Sequence, residues 1–405
     1  MKKVLLLGVG AQGSTVAKRL DDESYVDEII CADYDKDAVD ELVGTLKKAR
    51  GIKVDANKKD QLRDAASGMD LVINALPIQY GVNVLDAALE VGTNYIDFAV
   101  LEPIEGEYIK GVKYMYDHYG SRFNDIGKLA LIGGGLAPGL VCVISRKMVR
   151  GLDSCDTINI LLYEKIDIGR FLPFWWSPVD ALDAMQYNSF AFENGEIVIT
   201  EPFSNPVYRS WPEMGGKEVE MVEHAHEEPV MMGINSEEFF KGAKNIYFKY
   251  GGGEVEFAKP LYQAGFLSYE EEEYEGRTIV PFDYTLSRIP PAPKSGQEIK
   301  EIINGGIKTE EAAVVIEACG KKDGREVFLE AHVDAPGLEE AFELAGVTGD
   351  SYIIGSSAFF FVKMMLEDRF AQTGLISTDM LNDEQVDYYL KIAAEKKITC
   401  KIKSV

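Results

Sequence analysis

The sequence has little positive charge. Its 405 residues include 42 lysines and arginines against 67 aspartates and glutamates, which gives a formal net charge of −25. Nucleic acids and anionic membranes repel such a surface unless a local basic stripe offsets the charge, and the sequence contains no such stripe. We therefore expect neither a nucleic acid nor a membrane as a partner.

Cysteine is also scarce. The five cysteines form no CxxC pair, so neither a zinc cluster nor a disulfide framework is indicated. No apolar run is long enough to cross a bilayer, and no signal peptide precedes the first predicted strand, so we expect a cytoplasmic protein. A hydrophobic content of 46% is ample for two or three domains with sizeable cores.

The first twenty residues indicate a strand, a glycine-rich turn and a helix. Gly8, Gly10 and Gly13 follow the apolar run from Val4 to Leu7 and precede a segment with helical periodicity. This GxGxxG spacing is typical of a turn whose backbone approaches a dinucleotide pyrophosphate at a helix N-terminus. We predict a phosphate-binding site formed by Gly8, Gly10, Ala11, Gln12 and Gly13.

A second apolar run, DEIICAD, ends at Asp33, about twenty residues beyond the last glycine. In dinucleotide-binding folds an acid at this position binds the hydroxyl groups of the adenosine ribose. Because a carboxylate repels the 2′-phosphate of NADP, we predict NAD as the cofactor. Lys36 lies close enough in sequence to keep NADP possible.

Helices and strands continue to alternate as far as KLALIGGG, which predicts an α/β Rossmann fold with six parallel strands. Such sheets bind ligands at the carboxyl ends of their strands. The segment NALP presents backbone and small apolar atoms there, which suits the ribose and nicotinamide side of the cofactor. We therefore add Asp55, Asn74, Ala75, Leu76 and Pro77 to the predicted cofactor site, although Asp55 could equally be a helix cap.

Beyond residue 150 the hydrophobic period changes to two. Turns at Glu193–Glu196 and Lys321–Gly324 predict antiparallel hairpins, and the acidic run SYEEEEYEG is expected to be a solvated loop. We predict a Rossmann domain over residues 1–137, completed by C-terminal helices over residues 352–405. Residues 138–351 are predicted to form a substrate-binding and dimerisation domain, an α+β domain with an antiparallel sheet.

Further segments are similar to a known family. The turn GLAPG at Gly135 to Gly139 opens a helix, and WSP at Trp176 to Pro178 is followed by ENGE. With the glycine fingerprint, IYFKYGGGEVEFAKPLYQAGFLS and VTGDSYIIGSSAFFFVKMMLED, they resemble the saccharopine dehydrogenase family, which includes saccharopine reductases, carboxynorspermidine dehydrogenases and lysine 6-dehydrogenases. The chain departs from the family in Ala137, where saccharopine reductases usually carry an acid, and in Lys249-Tyr250, which replaces Arg-Tyr.

The resemblance implies hydride transfer between a nicotinamide and the carbon of an amine or imine. Such a step needs a base near the amine nitrogen and a group that holds the substrate's carboxylate or ammonium in register. We predict Asp97 and Glu102, which follow the fifth strand, for the amine, with a helix cap or surface carboxylate as the alternative. For the substrate carboxylate we predict Arg170 and Arg209, because an arginine binds a carboxylate through two parallel hydrogen bonds, with Lys249 as a third candidate. Trp176 is predicted as a pocket wall. The alternatives are surface cations for the three basic residues and a core position for Trp176.

His224 and His226 in VEHAHEEP would share one face of a strand. A metal site with Glu223 or Glu227 is conceivable, but the sequence defines no third ligand, and a solvated loop is the favoured alternative. We therefore expect no metal.

The family resemblance favours an NAD(P)-dependent oxidoreductase that acts on the C–N bond of an amino acid or related amine, with a saccharopine-, lysine- or carboxynorspermidine-like substrate. Two alternatives stay open: a non-catalytic NAD-binding sensor, and a reductase of an unrelated carbonyl substrate on the same architecture. The resemblance also implies a homodimer formed through the second domain. In GSSAFFFVKMMLED we predict a buried helix capped by Ser356.

Overall fold

The computed structural model describes residues 1–100, 107–293 and 295–405. Glu102 lies outside these described residues. The chain divides into two compact units, one formed by Met1–Lys147 with Ser351–Ile398 and the other by Met148–Asp350 with Thr399–Val405. Each unit contains its own large sheet.

The first unit alternates strands with helices, as predicted. Before the chain enters the second unit, the elements are β1 (Lys2–Leu7), α1 (Ala11–Asp21), β2 (Val26–Asp33), α2 (Lys36–Val43), β3 (Ala49–Lys53), α3 (Lys59–Ala66), β4 (Leu71–Asn74), α4 (Gly81–Val91), β5 (Asn94–Asp97), α5 (Tyr108–Tyr114), α6 (Gly120–Asp125), β6 (Leu129–Ile132) and α7 (Leu140–Val149).

These strands form a parallel sheet in the order β3-β2-β1-β4-β5-β6. Val4 to Leu7 of β1 are at most 1% exposed, as expected of a strand with helices over both faces of its sheet. Val16, Ala17 and Leu20 of α1 are buried at helical spacing, so that one face of the helix packs inward. The α/β Rossmann architecture predicted from the sequence is confirmed.

The second unit contains more strands and shorter helices. Its elements up to the C-terminal segment are β7 (Ser154–Asp167), α8 (Pro178–Ala184), β8 (Ser189–Glu193), β9 (Glu196–Thr200), β10 (Val207–Arg209), β11 (Val219–Glu223), α9 (Glu228–Ile234), α10 (Ser236–Phe239), β12 (Asn245–Gly252), α11 (Gly253–Gln263), β13 (Glu272–Tyr274), β14 (Arg277–Ile279), α12 (Pro281–Leu286), α13 (Gly296–Gly305), β15 (Thr309–Lys322), β16 (Arg325–Asp334) and α14 (Leu338–Ala345).

The predicted hairpins β8–β9 and β15–β16 are confirmed, with turns between Glu193 and Glu196 and between Lys322 and Arg325. The sheet is nevertheless mixed, because β7 pairs antiparallel with β15 but parallel with β12. A long crossover separates β7 from β12 in the chain, and parallel neighbours require such a connection. The acidic run predicted to be a loop contains the exposed strand β13, which pairs with β14 directly beyond the run to form a short hairpin.

The C-terminal segment forms α15 (Gly349–Leu366), β17 (Gly374–Ser377), α16 (Asp383–Glu395) and β18 (Thr399–Ser404). β17 adds a seventh, parallel strand beside β6, and β18 pairs with β16 in the second sheet. The prediction of helices alone over this segment was therefore wrong. A four-residue strand such as GLIS is too short to show a hydrophobic period.

Helix α15 is buried as predicted, but its predicted cap is wrong. The helix begins at Gly349, and Ser356 lies inside it at 0% exposure. The Ser356 hydroxyl accepts a hydrogen bond from the Arg19 guanidinium at 2.6 Å and donates to the Tyr352 carbonyl. Although α15 is apolar, none of the helices among the described residues could span a membrane.

The contact between α1 and α15 leads to a stability prediction. A Cβ on Gly355 of α15 would lie 2.6 Å from the Thr15 Cβ, which is buried in α1. Gly355→Ala should therefore lower the free energy of unfolding by about 1–3 kcal/mol, because overpacking outweighs the gain in helix propensity. Urea denaturation of the wild type and the variant measures this difference.

Gly305→Ala is the matched control, because Gly305 also lies in a helix but its Cβ would meet no atom within 4 Å. The control substitution should be neutral or stabilising by up to about 1 kcal/mol. Equal stability changes in the two variants would contradict the proposed contact.

Candidate functional site

The carboxyl ends of the parallel strands bring the predicted cofactor residues together at one edge of the first sheet. The Gly8 N–H donates to the Ala32 carbonyl at 2.9 Å, and the Ala75 N–H donates to the Leu7 carbonyl at 2.7 Å. The glycine loop, which follows β1, therefore lies beside the segment that follows β4, at the carboxyl ends of these two paired strands. This is the point where the strand order reverses, and it is where doubly wound sheets bind dinucleotides.

The three glycines of the loop have different environments. A Cβ on Gly13 would lie 2.0 Å from the Gly8 carbonyl oxygen, and one on Gly8 would lie 2.5 Å from the Ala75 carbonyl oxygen. Gly8 also has a φ of +91°, which favours glycine. By contrast, a Cβ on Gly10 would meet no atom within 4 Å. Two glycines thus allow close packing, and the third leaves open space that fits a pyrophosphate.

The N-terminus of α1 faces this loop without a side-chain cap. Gly10 is the N-cap residue and makes no side-chain hydrogen bond, and the first turn contains no acidic residue. The first N–H groups of a helix, here those of Ala11 and Gln12, have no partner within the helix and carry partial positive charge. The loop therefore offers backbone donors to an anion, as the sequence predicted.

Asp33 is held beside the glycine loop. Its Oδ2 accepts from the Val9 N–H at 3.0 Å and its Oδ1 from the Asp35 N–H at 3.1 Å, and the side chain is half-buried. Asp55 instead bonds within its own loop, where the Asn57 N–H donates to it at 3.0 Å and lowers its pKa. Asp33 is thus the acid beside the glycine loop, whereas Asp55 stabilises the turn before α3.

A buried network joins the ends of β4, β5 and β6. Asn74 Nδ2 donates to the Tyr95 hydroxyl at 3.0 Å, and this hydroxyl donates to Asp97 Oδ2 at 2.9 Å. Asp97 Oδ1 accepts from the Gly133 N–H at 2.9 Å, and Asn74 Oδ1 accepts from the Leu76 N–H at 3.2 Å. Burial, reinforced by the Asp97 charge, raises the pKa of Tyr95, so its hydroxyl remains a donor. With 2% exposure and both oxygens held by protein donors, Asp97 is better suited to positioning these strand ends than to accepting a proton.

In the second unit, two of the predicted substrate cations are paired within the fold. Lys249 is 4% exposed, and its ammonium contacts Glu223 at 2.6 Å and the Asn205 carbonyl at 2.7 Å. Arg209 forms two hydrogen bonds with Glu317, at 2.6 and 2.9 Å. These cations neutralise buried carboxylates of the same sheet.

Trp176 and Lys249 do not meet. The Trp176 indole N–H donates to Glu254 at 2.9 Å, and Glu254 also accepts a hydrogen bond from Tyr250. Lys249 and Tyr250 are consecutive in β12, so their side chains point to opposite faces of the sheet. Arg170 is exposed in the loop after β7. The structure therefore does not bring the four predicted substrate residues together.

Glu254 belongs to a group of acids that the sequence analysis missed. It is 4% exposed, and burial together with the Asp350 charge raises its pKa to about 8. The side chain of Glu164 hydrogen-bonds with Asp350, and burial and the same charge raise the pKa of Glu164. A sequence signal for this group exists, because Glu164 shares one face of β7 with the apolar Ile160 and Leu162.

Comparisons with known proteins give a consistent result. Residues 4–121 match the family model described as the saccharopine dehydrogenase NADP binding domain. The carboxynorspermidine synthase of Vibrio alginolyticus is 25% identical over an alignment length of 405, which covers 94% of this chain and 92% of that protein. The carboxyaminopropylagmatine dehydrogenase of Synechocystis sp. is 24% identical over 394 residues, covering 95% of this chain and 94% of that protein.

The solved structure of apo saccharopine dehydrogenase (L-Glu forming) from Saccharomyces cerevisiae matches the fold with a TM-score of 0.72 at 15% identity, over 100% of both chains. The resemblance to the saccharopine dehydrogenase family is confirmed. The similarity extends beyond the glycine loop, since the two curated relatives also align along nearly the whole chain. A dinucleotide cofactor is supported both by the matched saccharopine dehydrogenase domain and by the fit of the glycine loop.

The surroundings of Gly10 and Gly13 predict that alanine at Gly10 impairs cofactor binding, whereas alanine at Gly13 impairs stability. Gly10→Ala should leave the melting temperature nearly unchanged, because its Cβ meets no protein atom, yet it should weaken NADH binding about tenfold or more by occupying the phosphate space. Gly13→Ala should lower the melting temperature, because its Cβ would overlap the Gly8 carbonyl. NADH fluorescence titration and thermal melting separate the two effects. Unchanged NADH affinity in Gly10→Ala would contradict the phosphate assignment.

The raised pKa of Glu254 predicts a pH dependence of stability. Between the ordinary glutamate value of 4.5 and about 8, the unfolded chain is ionised at this position while the folded chain keeps its proton. The contribution of Glu254 to the free energy of unfolding should therefore fall as the pH rises from 4.5 to about 8, and it should level off at higher pH. Glu254→Gln mimics the protonated form, so its melting temperature should rise relative to that of the wild type between pH 5 and 8.

Glu256→Gln controls for the loss of one carboxylate, because Glu256 lies on the same helix but is exposed and paired with Lys165. If the difference in melting temperature between Glu254→Gln and the wild type stayed constant across this pH range, Glu254 would be ionised in the folded chain.

Proposed function

We propose that the protein is an NAD(P)-dependent oxidoreductase that transfers hydride at the C–N bond of an amino acid or related amine. The observation that carries this proposal is the glycine loop at the point where the strand order reverses. A Cβ on Gly10 would meet open space there, whereas a Cβ on Gly8 or Gly13 would overlap a backbone carbonyl oxygen. The names of the two curated relatives, a synthase and a dehydrogenase of amine compounds, support the reaction class. When bound, the nicotinamide would supply the hydride acceptor or donor.

The residues of the first unit have distinct proposed roles. Backbone groups of Gly8 to Gly13 would hold the pyrophosphate, and Asp33 would bind the adenosine ribose. Ala75, Leu76 and Pro77 would line the ribose and nicotinamide side. We propose Asp97 as a positioning residue, because its carboxylate joins the end of β5 to the Gly133 turn and, through Tyr95, to Asn74.

For the substrate, we propose Trp176 together with its partner Glu254. The indole face is suited to an ammonium group through cation–π attraction, and the Glu254 carboxyl oxygen can accept a hydrogen bond from that group. A carboxylic acid with a pKa of about 8 can also exchange a proton near neutral pH. Exposed Arg170 is the remaining candidate for a substrate carboxylate, because Arg209 and Lys249 are already paired.

The test is turnover with a panel of amines. Saccharopine, lysine and carboxylated polyamines, including carboxynorspermidine, would be incubated with NAD or NADP, and the corresponding keto or aldehyde plus amine pairs with NADH or NADPH. Absorbance of the reduced nicotinamide at 340 nm reports the reaction. Activity only with carbonyl compounds that lack an amine would favour the carbonyl-reductase alternative. Dinucleotide binding without turnover on any substrate would favour the sensor.

Asp33 leads to a prediction on cofactor choice. The wild type should prefer NAD over NADP, because the Asp33 carboxylate repels a 2′-phosphate. Asp33→Ala should weaken NAD binding about tenfold and reduce the ratio of NAD affinity to NADP affinity. Asp33→Asn is the control that removes the charge but keeps the size of the side chain. Dissociation constants for both cofactors, measured by fluorescence, decide the question. A wild-type preference for NADP would contradict this role for Asp33 and would agree with the name of the matched domain.

A homodimer formed through the second unit and a cytoplasmic location stay predictions. Sedimentation at micromolar concentration tests the first of them. The specific amine, including lysine, stays a prediction as well, and the substrate panel tests it.

A further inference from the structure

The segment between β11 and α9 places one histidine and two glutamates side by side. β11 ends at Glu223, α9 begins at Glu228, and the connection contains His224, His226 and Glu227. The sequence suggested that the histidines could bind a metal with Glu223 or Glu227. The structure instead pairs Glu223 with Lys249 and brings Glu228 into the group.

The ligand-type atoms of His226, Glu227 and Glu228 lie within 4.8 Å of one another. His226 Nδ1 is 2.9 Å from Glu228 Oε2 and 3.6 Å from Glu227 Oε2. The imidazole stacks on Phe248, with ring centroids 3.7 Å apart and planes 14° from parallel. This stacking fixes the plane of the ring, so that Nδ1 is held toward the two carboxylates.

One atom of this group lacks a partner. The Glu228 side chain is 0% exposed, and its Oε1 has no hydrogen-bond donor among the residues that the structure describes. A buried carboxylate oxygen without a donor is costly, and a cation bound there would remove the cost. The second carboxylate, on Glu227, is about four-fifths buried beside it, at 20% exposure. The arrangement thus concentrates negative charge around a single imidazole nitrogen.

We propose that His226, Glu227 and Glu228 bind one divalent transition-metal ion. One imidazole nitrogen with two carboxylates is a donor set that suits Zn²⁺ or Mn²⁺ better than Ca²⁺ or Mg²⁺, which prefer oxygen alone. Ligands of a tetrahedral zinc ion lie roughly 3.4 Å apart, so the group needs only small side-chain movements to close on the metal. A water molecule would take the fourth position. The site lies within the second unit and does not depend on the proposed oxidoreductase activity.

The competing explanation is a salt bridge in which a protonated His226 pairs with Glu228. A proton and a metal compete for the same Nδ1, so the two explanations differ in what zinc does. A metal site binds zinc with one-to-one stoichiometry and releases a proton. A salt bridge alone gives no saturable zinc binding at this position.

The experiment is calorimetric titration of the full chain, after treatment with EDTA and its removal, with ZnCl₂ and separately with MnCl₂. We expect one zinc per chain, with an affinity reduced at least tenfold in Glu228→Gln and in His226→Gln. His332→Gln is the matched control, because His332 also pairs with two glutamates, Glu213 and Glu330, in the same unit. This control should bind zinc as the wild type does.

Thermal melting supplies a second readout. Zinc bound to the folded chain should raise the melting temperature of the wild type and of His332→Gln, but not of His226→Gln. If Glu228→Gln fails to fold, Glu227→Gln and His226→Gln still test the site. No saturable zinc binding by the wild type, or equal binding by the His226 and Glu228 variants, would overturn the proposal. NADH affinity should be the same in all folded variants.

Discussion

The first unit depends on one close approach, that of α1 to the edge formed by β1 and β4. Hydrogen atoms at Gly13 and Gly8 allow helix and strand backbones to come together where any Cβ would overlap a carbonyl oxygen. Because α1 can lie this close, its N-terminal N–H groups reach the strand reversal point, and Asp33 can bond to the Val9 N–H. If α1 lay farther from β1 and β4, the same residues would not form one cofactor site. The candidate phosphate site therefore follows from packing rather than from any charged side chain.

The sequence predicted those parts of the structure that are encoded locally. The spacing of Gly8, Gly10 and Gly13 predicts the close approach of α1 to β1, and the turn at Glu193 to Glu196 predicts the hairpin of β8 and β9. The strand β17 was not predicted, because its four residues are too few to show a hydrophobic period. The start of α15 was placed too late, because Gly-Ser-Ser resembles a cap although burial against α1 holds those residues inside the helix.

The substrate residues were harder to predict, because charge pairing joins residues far apart in the chain. Arg209 and Lys249 have the chemistry that a substrate carboxylate needs, yet Glu317 and Glu223 already use their donors. Those pairs span 108 and 26 residues, and no local pattern indicates them. The acids that the sequence analysis missed show the opposite situation. Burial raises the pKa of Glu164, Glu254 and Asp350, and the charge of Asp350 raises the pKa of the two glutamates further.

The charge of the whole chain clarifies how one protein could serve two ligands of opposite sign. A net charge of −25 attracts a cationic amine at long range and repels an anionic dinucleotide. At physiological ionic strength such fields fade within about 8 Å, so binding is decided by groups in contact with each ligand. Backbone N–H groups at α1 supply local positive potential without adding a basic side chain, which leaves the overall field unchanged. An amine substrate needs no such exception, because the overall negative field already attracts a cation, and an indole face such as that of Trp176 would add a local cation–π attraction.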